Sequence, residues 1–167
     1  VTESEPPGEI DPRYSSDAAP LIPWAGVRDR FAGADVYWLS TVRPDGGPHV
    51  TPLISVWLDG APHVCAGAHE RKAKNLAENA RCVLTTGCNA ITEGMDVVIE
   101  GTAECVVDAS TLARLADAFN EKYDWGFRPA GATLVDERGE ALVWRLRPVT
   151  AFAFAKGEPF SQTRWRF

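Results

Sequence analysis

The chain has no apolar run near the ~20 residues a bilayer-spanning helix needs, no C-x-x-C pair, no G-x-G-x-x-G and no P-loop. These absences argue against a helical membrane span. They also leave a zinc ribbon, a dinucleotide fold and a nucleoside-triphosphate fold unsupported. Cysteine occurs four times, at Cys65, Cys82, Cys88 and Cys105, with no zinc spacing. Three of these lie in stretches that read as strands, so buried, reduced, structural thiols are expected. Histidine occurs only at His49, His63 and His69. The three sit on separate segments without a carboxylate pair at ligand spacing, and so form no metal set. His69, beside a basic run, is the first to test. No nucleophile elbow is present, so Ser-His-Asp catalysis has no support. Positive charge is in the minority, 17 Lys and Arg against 23 Asp and Glu, and the net charge of −6 argues against non-specific nucleic-acid binding. Val1 to Asp17 lacks the basic and apolar regions of a signal peptide, which makes the cytoplasm the expected compartment.

What is present suits one domain: 167 residues, 45% hydrophobic and 24% charged. Residues 1–20 are rich in Pro, Ser, Glu and Asp and are expected to form a flexible arm, with one domain over 21–167. Trp24, Val27 and Phe31 share a face if Trp24 to Phe31 is a short helix. Val36 to Val42, Val50 to Leu58 and Pro62 to Ala66 read as strands. They are joined by two turns: Pro44-Asp45-Gly46-Gly47, in which Pro fixes φ and Gly permits positive φ, and the tight hairpin Asp59-Gly60. Arg71 to Asn79 reads as a helix. Further strands are expected at Arg81 to Thr86, Asp96 to Val107, Ala141 to Arg147 and Thr150 to Ala155. Ser110 to Tyr123 is the clearest helix, capped by Asp108 or Ser110, with Leu112, Leu115, Ala116, Phe119 and Tyr123 in register. Gly126 to Gly139 reads as a loop. The fold class is therefore mainly β (α+β): an antiparallel barrel, closed or nearly so, of six to seven strands with two or three helices.

One run carries chemistry. Arg71-Lys72-Ala73-Lys74-Asn75-Leu76 puts three cations at a helix start, where unpaired N–H groups and the positive dipole end already favour an anion. Arg offers a bidentate fork to phosphate and Lys a mobile point charge. The same residues also suit a solvated face, with Lys74 paired to Glu78 one turn on.

Trp38 through Gly46, then Pro48-His49-Val50-Thr51-Pro52-Leu53, then Arg71-Lys72 to Leu76 with Asn79 closing the helix, occur in an order that resembles the split-barrel family of pyridoxamine 5′-phosphate oxidase. The closing Thr163-Arg164-Trp165-Arg166-Phe167 resembles the flavin/deazaflavin oxidoreductases within it. The resemblance implies a homodimer with its cofactor in a groove between subunits. It makes Arg71 and Lys72 phosphate ligands supported by Lys74 and Asn75. It lines the ring with Val50, Thr51, Pro52 and Leu53, and brings Arg164 and Trp165 of the docked tail to the cofactor. The implied function is an oxidoreductase that transfers hydride to or from a small molecule, with F420 as first choice and FMN as second. The alternative from another class is a non-catalytic flavin, deazaflavin or haem carrier. Glu70 departs from the family's pattern, which has a small or hydroxyl residue there. Either it turns outward, or the pocket has lost or changed its ligand. Trp125 is a candidate cover for a substrate pocket.

Overall fold

Alternation of apolar and polar side chains sets this sheet, because successive residues of a strand point to opposite faces. The computed structural model describes residues 5–167. In chain order these form β1 (Glu9–Ile10), α1 (Trp24–Ala32), β2 (Tyr37–Val42), β3 (Pro48–Leu53), β4 (Ser55–Leu58), β5 (Ala61–Ala66), α2 (Arg71–Glu78) and β6 (Arg81–Thr86). There follow β7 (Met95–Cys105), α3 (Ala109–Tyr123), β8 (Arg128–Ala130), β9 (Thr133–Asp136), β10 (Gly139–Ala155) and β11 (Ser161–Arg166).

The main ladder runs β1-β11-β10-β7-β6-β2-β3, each pair antiparallel. Register separates its faces cleanly. Thr51, Leu39, Leu84, Ile99, Ala151 and Trp165 lie opposite one another across six strands and form the inward row. All but half-buried Thr51 are buried. One residue along each strand, Pro52, Trp38, Thr85, Val98, Phe152 and Arg164 form the outward row. Beyond the main ladder, β5 pairs with both β10 and β4. Because β3 runs through Ile54 directly into β4, the pairings come round into a barrel that is split where one strand changes partner. This is the mostly antiparallel split barrel expected from the sequence.

The two turns form as their residues require. Gly46 has φ +82°, and Asp59 and Gly60 both have positive φ, as a two-residue hairpin of matching twist demands. α1 buries Trp24, Val27 and Phe31 against the barrel core. Asp108 caps α3 by accepting the Thr111 N–H at 2.8 Å. Leu112, Leu115, Ala116 and Phe119 build a second core with Val56, Phe127, Leu134 and Val143. At the far end of α3, the Lys122 ammonium donates to Ala32 O (2.8 Å), Ser55 O (2.9 Å) and Tyr37 Oη (3.0 Å). That side chain ties α3 to the end of α1 and the start of β4. No helix of the described residues is long and apolar enough to cross a membrane.

Four expectations need correction. Residues 1–4 of the expected arm lie outside the described residues, but the rest of it is not loose. β1 pairs with β11, the Asp11 N–H donates to Gln162 O and the Ser16 N–H to Phe160 O, each at 2.9 Å. The arm shields an edge strand whose backbone would otherwise be unpaired. The expected loop at 126–139 contains the hairpin β8–β9, and β9 adds to β10. The two strands expected at 141–147 and 150–155 are one, bent by a register shift between Pro148 and Thr150. The bend brings Arg147 O so close to Gly101 that a Cβ there would stand 2.2 Å from it, so position 101 admits only glycine. Cys65 and Cys82 are buried thiols, their pKa values pushed up by burial, that of Cys82 to about 12. Cys105, the last residue of β7, is exposed although it still pairs with Trp144 of β10.

A candidate cofactor site

The basic run forms α2 as expected, and its neighbours converge on one corner. The turn between β2 and β3 is closed by the Arg43 N–H on Gly47 O (2.8 Å) and by Asp45 Oδ1 on the Gly47 N–H (2.9 Å). It sets Thr41 directly across from His49. Asn75, buried on the inner side of α2, donates from Nδ2 to Thr41 Oγ1 at 3.0 Å and so fixes the helix against β2. Thr41 Oγ1 stands 3.5 Å from His49 Nδ1.

The electrostatics of this corner oppose those of the whole chain. His49 is held below its ordinary pKa, first by burial and then by the charges of Arg43, Arg71 and Lys72. Arg43 in the β2–β3 turn and Arg71 and Lys72 on α2 therefore lie near enough for their charges to act on His49 of β3, in a molecule with net charge −6. Two buried oxygens, Thr51 Oγ1 and Asn75 Oδ1, have no hydrogen-bond partner, although such groups are normally satisfied. Arg71 is exposed and makes no ion pair among the described residues. Lys72 is buried and forms an ion pair with Glu70, whose other oxygen accepts the Gly67 N–H at 2.6 Å. Burial alone would raise the Glu70 pKa. The Lys72 and Gly67 hydrogen bonds outweigh it and hold the carboxyl below its usual value.

The expected ring-lining stretch divides between two faces. Thr51 and Leu53 turn inward, and Val50 and Pro52 outward. β3 is the last strand of the main ladder, so its backbone groups directed away from β2 are open to a ligand. On the outward face, Ser40, Val42, Pro48, Val83, Thr102 and Val149 border a cleft of about 490 Å³. A second cleft of about 280 Å³ lies past the start of α2, among Gly67, His69, Glu70, Trp125, Phe127 and Arg138. Trp125 covers part of it with the Arg138 guanidinium stacked 3.7 Å from its ring centre. Lys74 is exposed on α2. The tail residues lie elsewhere. Trp165 belongs to the barrel core, its ring 5.4 Å from that of Trp24, and Arg164 pairs with Glu9 at 2.6 Å. Trp165 therefore offers no exposed ring to a cofactor. Thr41 and His49, which lie in the segments that carry the resemblance but had no site role there, join the site. The β2–β3 turn, once its register is drawn, puts them side by side.

A cationic helix start and a free strand edge fit a cofactor with an anionic tail and a flat ring.

Comparison with known proteins gives the same frame. The family model described as pyridoxamine 5′-phosphate oxidase matches residues 24–153. No curated protein matches the sequence. Among solved structures, a conserved hypothetical protein of Mycobacterium tuberculosis superposes with a TM-score of 0.69 at 23% identity, over 84% of this chain and 89% of that one. A pyridoxamine 5′-phosphate oxidase-related, FMN-binding protein of Nostoc punctiforme gives 0.59 at 15% identity, over 86% and 91%. A structure described as an F420 reductase gives 0.55 at 20% identity, over 74% and 94%. At these identities the structural likeness speaks for the fold, and the family match covers most of the chain: it belongs to the pyridoxamine 5′-phosphate oxidase family of split barrels.

Proposed function

We propose that this protein is an oxidoreductase that binds a deazaflavin, F420 in first place, or FMN, and transfers hydride between its ring and a small molecule. The observation that carries the reading is the convergence of Arg43, His49, Arg71 and Lys72 beside the free edge of β3. Fold alone does not assign a function, so the weight rests on that site. Arg71 and Lys72 would hold the anionic tail, with Lys74 adding charge at longer range. Asn75 positions the helix that carries them. The backbone of Val50 to Leu53 would meet the ring.

When bound, such a cofactor supplies the hydride chemistry itself, which is why no acid–base or nucleophilic set stands out in this chain. The protein's part is to bind, orient and exclude water. The outward cleft is apolar enough to exclude water only if something covers it, and a second copy of this chain is the cover we propose. A homodimer would close the groove over the ring while leaving the cationic corner at its rim.

The test is titration of purified protein with F420 and with FMN, followed by fluorescence. Arg71→Ala is expected to weaken binding at least tenfold, in line with the loss of a charge-assisted hydrogen bond of ~1.5–3 kcal/mol. An unchanged dissociation constant would remove Arg71 from the site. Reduced cofactor that is bound but never oxidised across a panel of acceptors would make the protein a carrier instead.

A further inference from the structure

We infer that Glu70 is a built-in competitor at the cationic corner and tunes it against a doubly charged terminal phosphate. The inference rests on the cofactor reading above.

The geometry is specific. A phosphate at the start of α2 would need oxygens near the Lys72 ammonium and near free backbone N–H groups. Glu70 occupies the first of these: one carboxylate oxygen pairs with Lys72, while the other accepts the Gly67 N–H at 2.6 Å, upstream of the helix, and leaves the first N–H groups of α2 uncapped. Lys72 is buried and Glu70 half-buried, so this pair is less exposed to solvent than an ordinary surface salt bridge. Its hydrogen bonds also keep Glu70 ionised at neutral pH, so the negative charge is present when a ligand arrives. The basic run therefore presents less positive charge than its composition implies. Lys72 is neutralised within the chain, and Arg71 remains as the adjacent unpaired cation among the described residues.

Repulsion between the carboxylate and an incoming anion grows in proportion to the ligand's charge. A phosphomonoester dianion meets about twice the penalty of a phosphodiester monoanion at the same place, and an uncharged tail meets none. Glu70 should therefore disfavour FMN relative to a cofactor whose phosphate is a diester, as in F420, or to a flavin without phosphate. Specificity of this kind comes from a group placed against the wrong ligand.

Riboflavin and FMN share a ring and differ in the terminal phosphate, which makes them the probes. Wild-type protein, Glu70→Gln and Glu70→Ser would each be titrated with both, followed by quenching of flavin fluorescence. Glu70→Gln keeps the size of the side chain and its ability to accept the Gly67 N–H, and removes only the charge. The ratio of FMN affinity to riboflavin affinity is expected to rise at least tenfold in both variants. Adding Lys72→Met to Glu70→Gln should lower the ratio at least fivefold, since with the carboxylate gone Lys72 is free to meet phosphate. An unchanged ratio in both Glu70 variants, with riboflavin still bound, overturns the inference and leaves the cofactor reading standing. Failure of riboflavin, FMN and F420 to bind any of the proteins overturns both.

Discussion

The three histidines, none of which formed a metal set in the sequence, have three different fates. His69 is exposed beside the smaller cleft, His49 joins the cationic corner, and His63 is 2% exposed with Nδ1 3.1 Å from Ala61 O. Burial pushes the His63 pKa down to about 4, whereas in the unfolded chain it titrates near 6.5. Between those values the unfolded state binds more protons than the folded one. The contribution of His63 is therefore fully present above about pH 6.5 and is lost as the pH falls towards 4. From the displacement of the pKa, the loss is expected to reach about 3 kcal/mol. Urea denaturation of wild type and His63→Gln at a series of pH values checks it: the variant's stability should fall less steeply over that window. Parallel curves would mean that His63 does not carry the acid sensitivity. What separates the three residues is register. Position 63 lies on a strand covered on both faces, and no short-range pattern around a histidine reveals how many layers will pack over it.

At the scale of elements, the closing segment shows how a local reading and a tertiary one part company. Thr163 to Phe167 reads as a docked tail because it carries two large rings that water would not tolerate. It is docked, as β11, a strand between β1 and β10, with the Trp165 ring in the barrel core and Arg164 and Arg166 paired with Glu9. Trp165 is 1% exposed and packs with Trp24 across the barrel end. Trp165→Ala is expected to cost about 3–5 kcal/mol of stability, the range for removal of a buried aromatic side chain. Chemical denaturation measures the shift in midpoint, and a change below 1 kcal/mol would contradict the core assignment. The same pairing explains the arm. Glu9 sits across from Arg164 and accepts from both Arg164 (2.6 Å) and Arg166 (2.8 Å), so a polar, proline-rich segment is ordered by ion pairs and backbone hydrogen bonds to an edge. Composition alone weighs only the apolar surface such a segment can bury, which is why it read as loose.

At the scale of the molecule, the outward row of the sheet stands out. Trp38 is 49% exposed and Val50 53% exposed, and Val98, Phe152 and Phe154 on the same face are only half-buried. Exposed apolar side chains of this kind, on the ladder that carries the candidate site, are the kind of surface that a partner covers. If a second copy covers it, Trp38→Asp should convert a dimer into a monomer in sedimentation velocity and weaken cofactor binding at the same time. A wild-type protein that sediments as a monomer at micromolar concentration would remove the homodimer from the proposal.

The sequence by itself determined most of the elements, though not β1, the β8–β9 hairpin or the continuity of β10, and the polarity of their faces. β-branched and aromatic alternation marked β2, β5 and β6, glycine and proline marked the turns, and helical spacing marked α1 and α3, because these signals act over a few residues. It also located α2 and its cations. The tertiary structure alone decided which side chains meet. Thr41, His49 and Asn75 come from three segments and become neighbours only when the β2–β3 hairpin and α2 are packed together. The pairing of Glu70 with Lys72, and not with solvent, depends on the burial that the barrel imposes on that lysine. Contacts between distant segments, and the loss of solvent that gives them their strength, are properties of the packed molecule, and no window of sequence contains them.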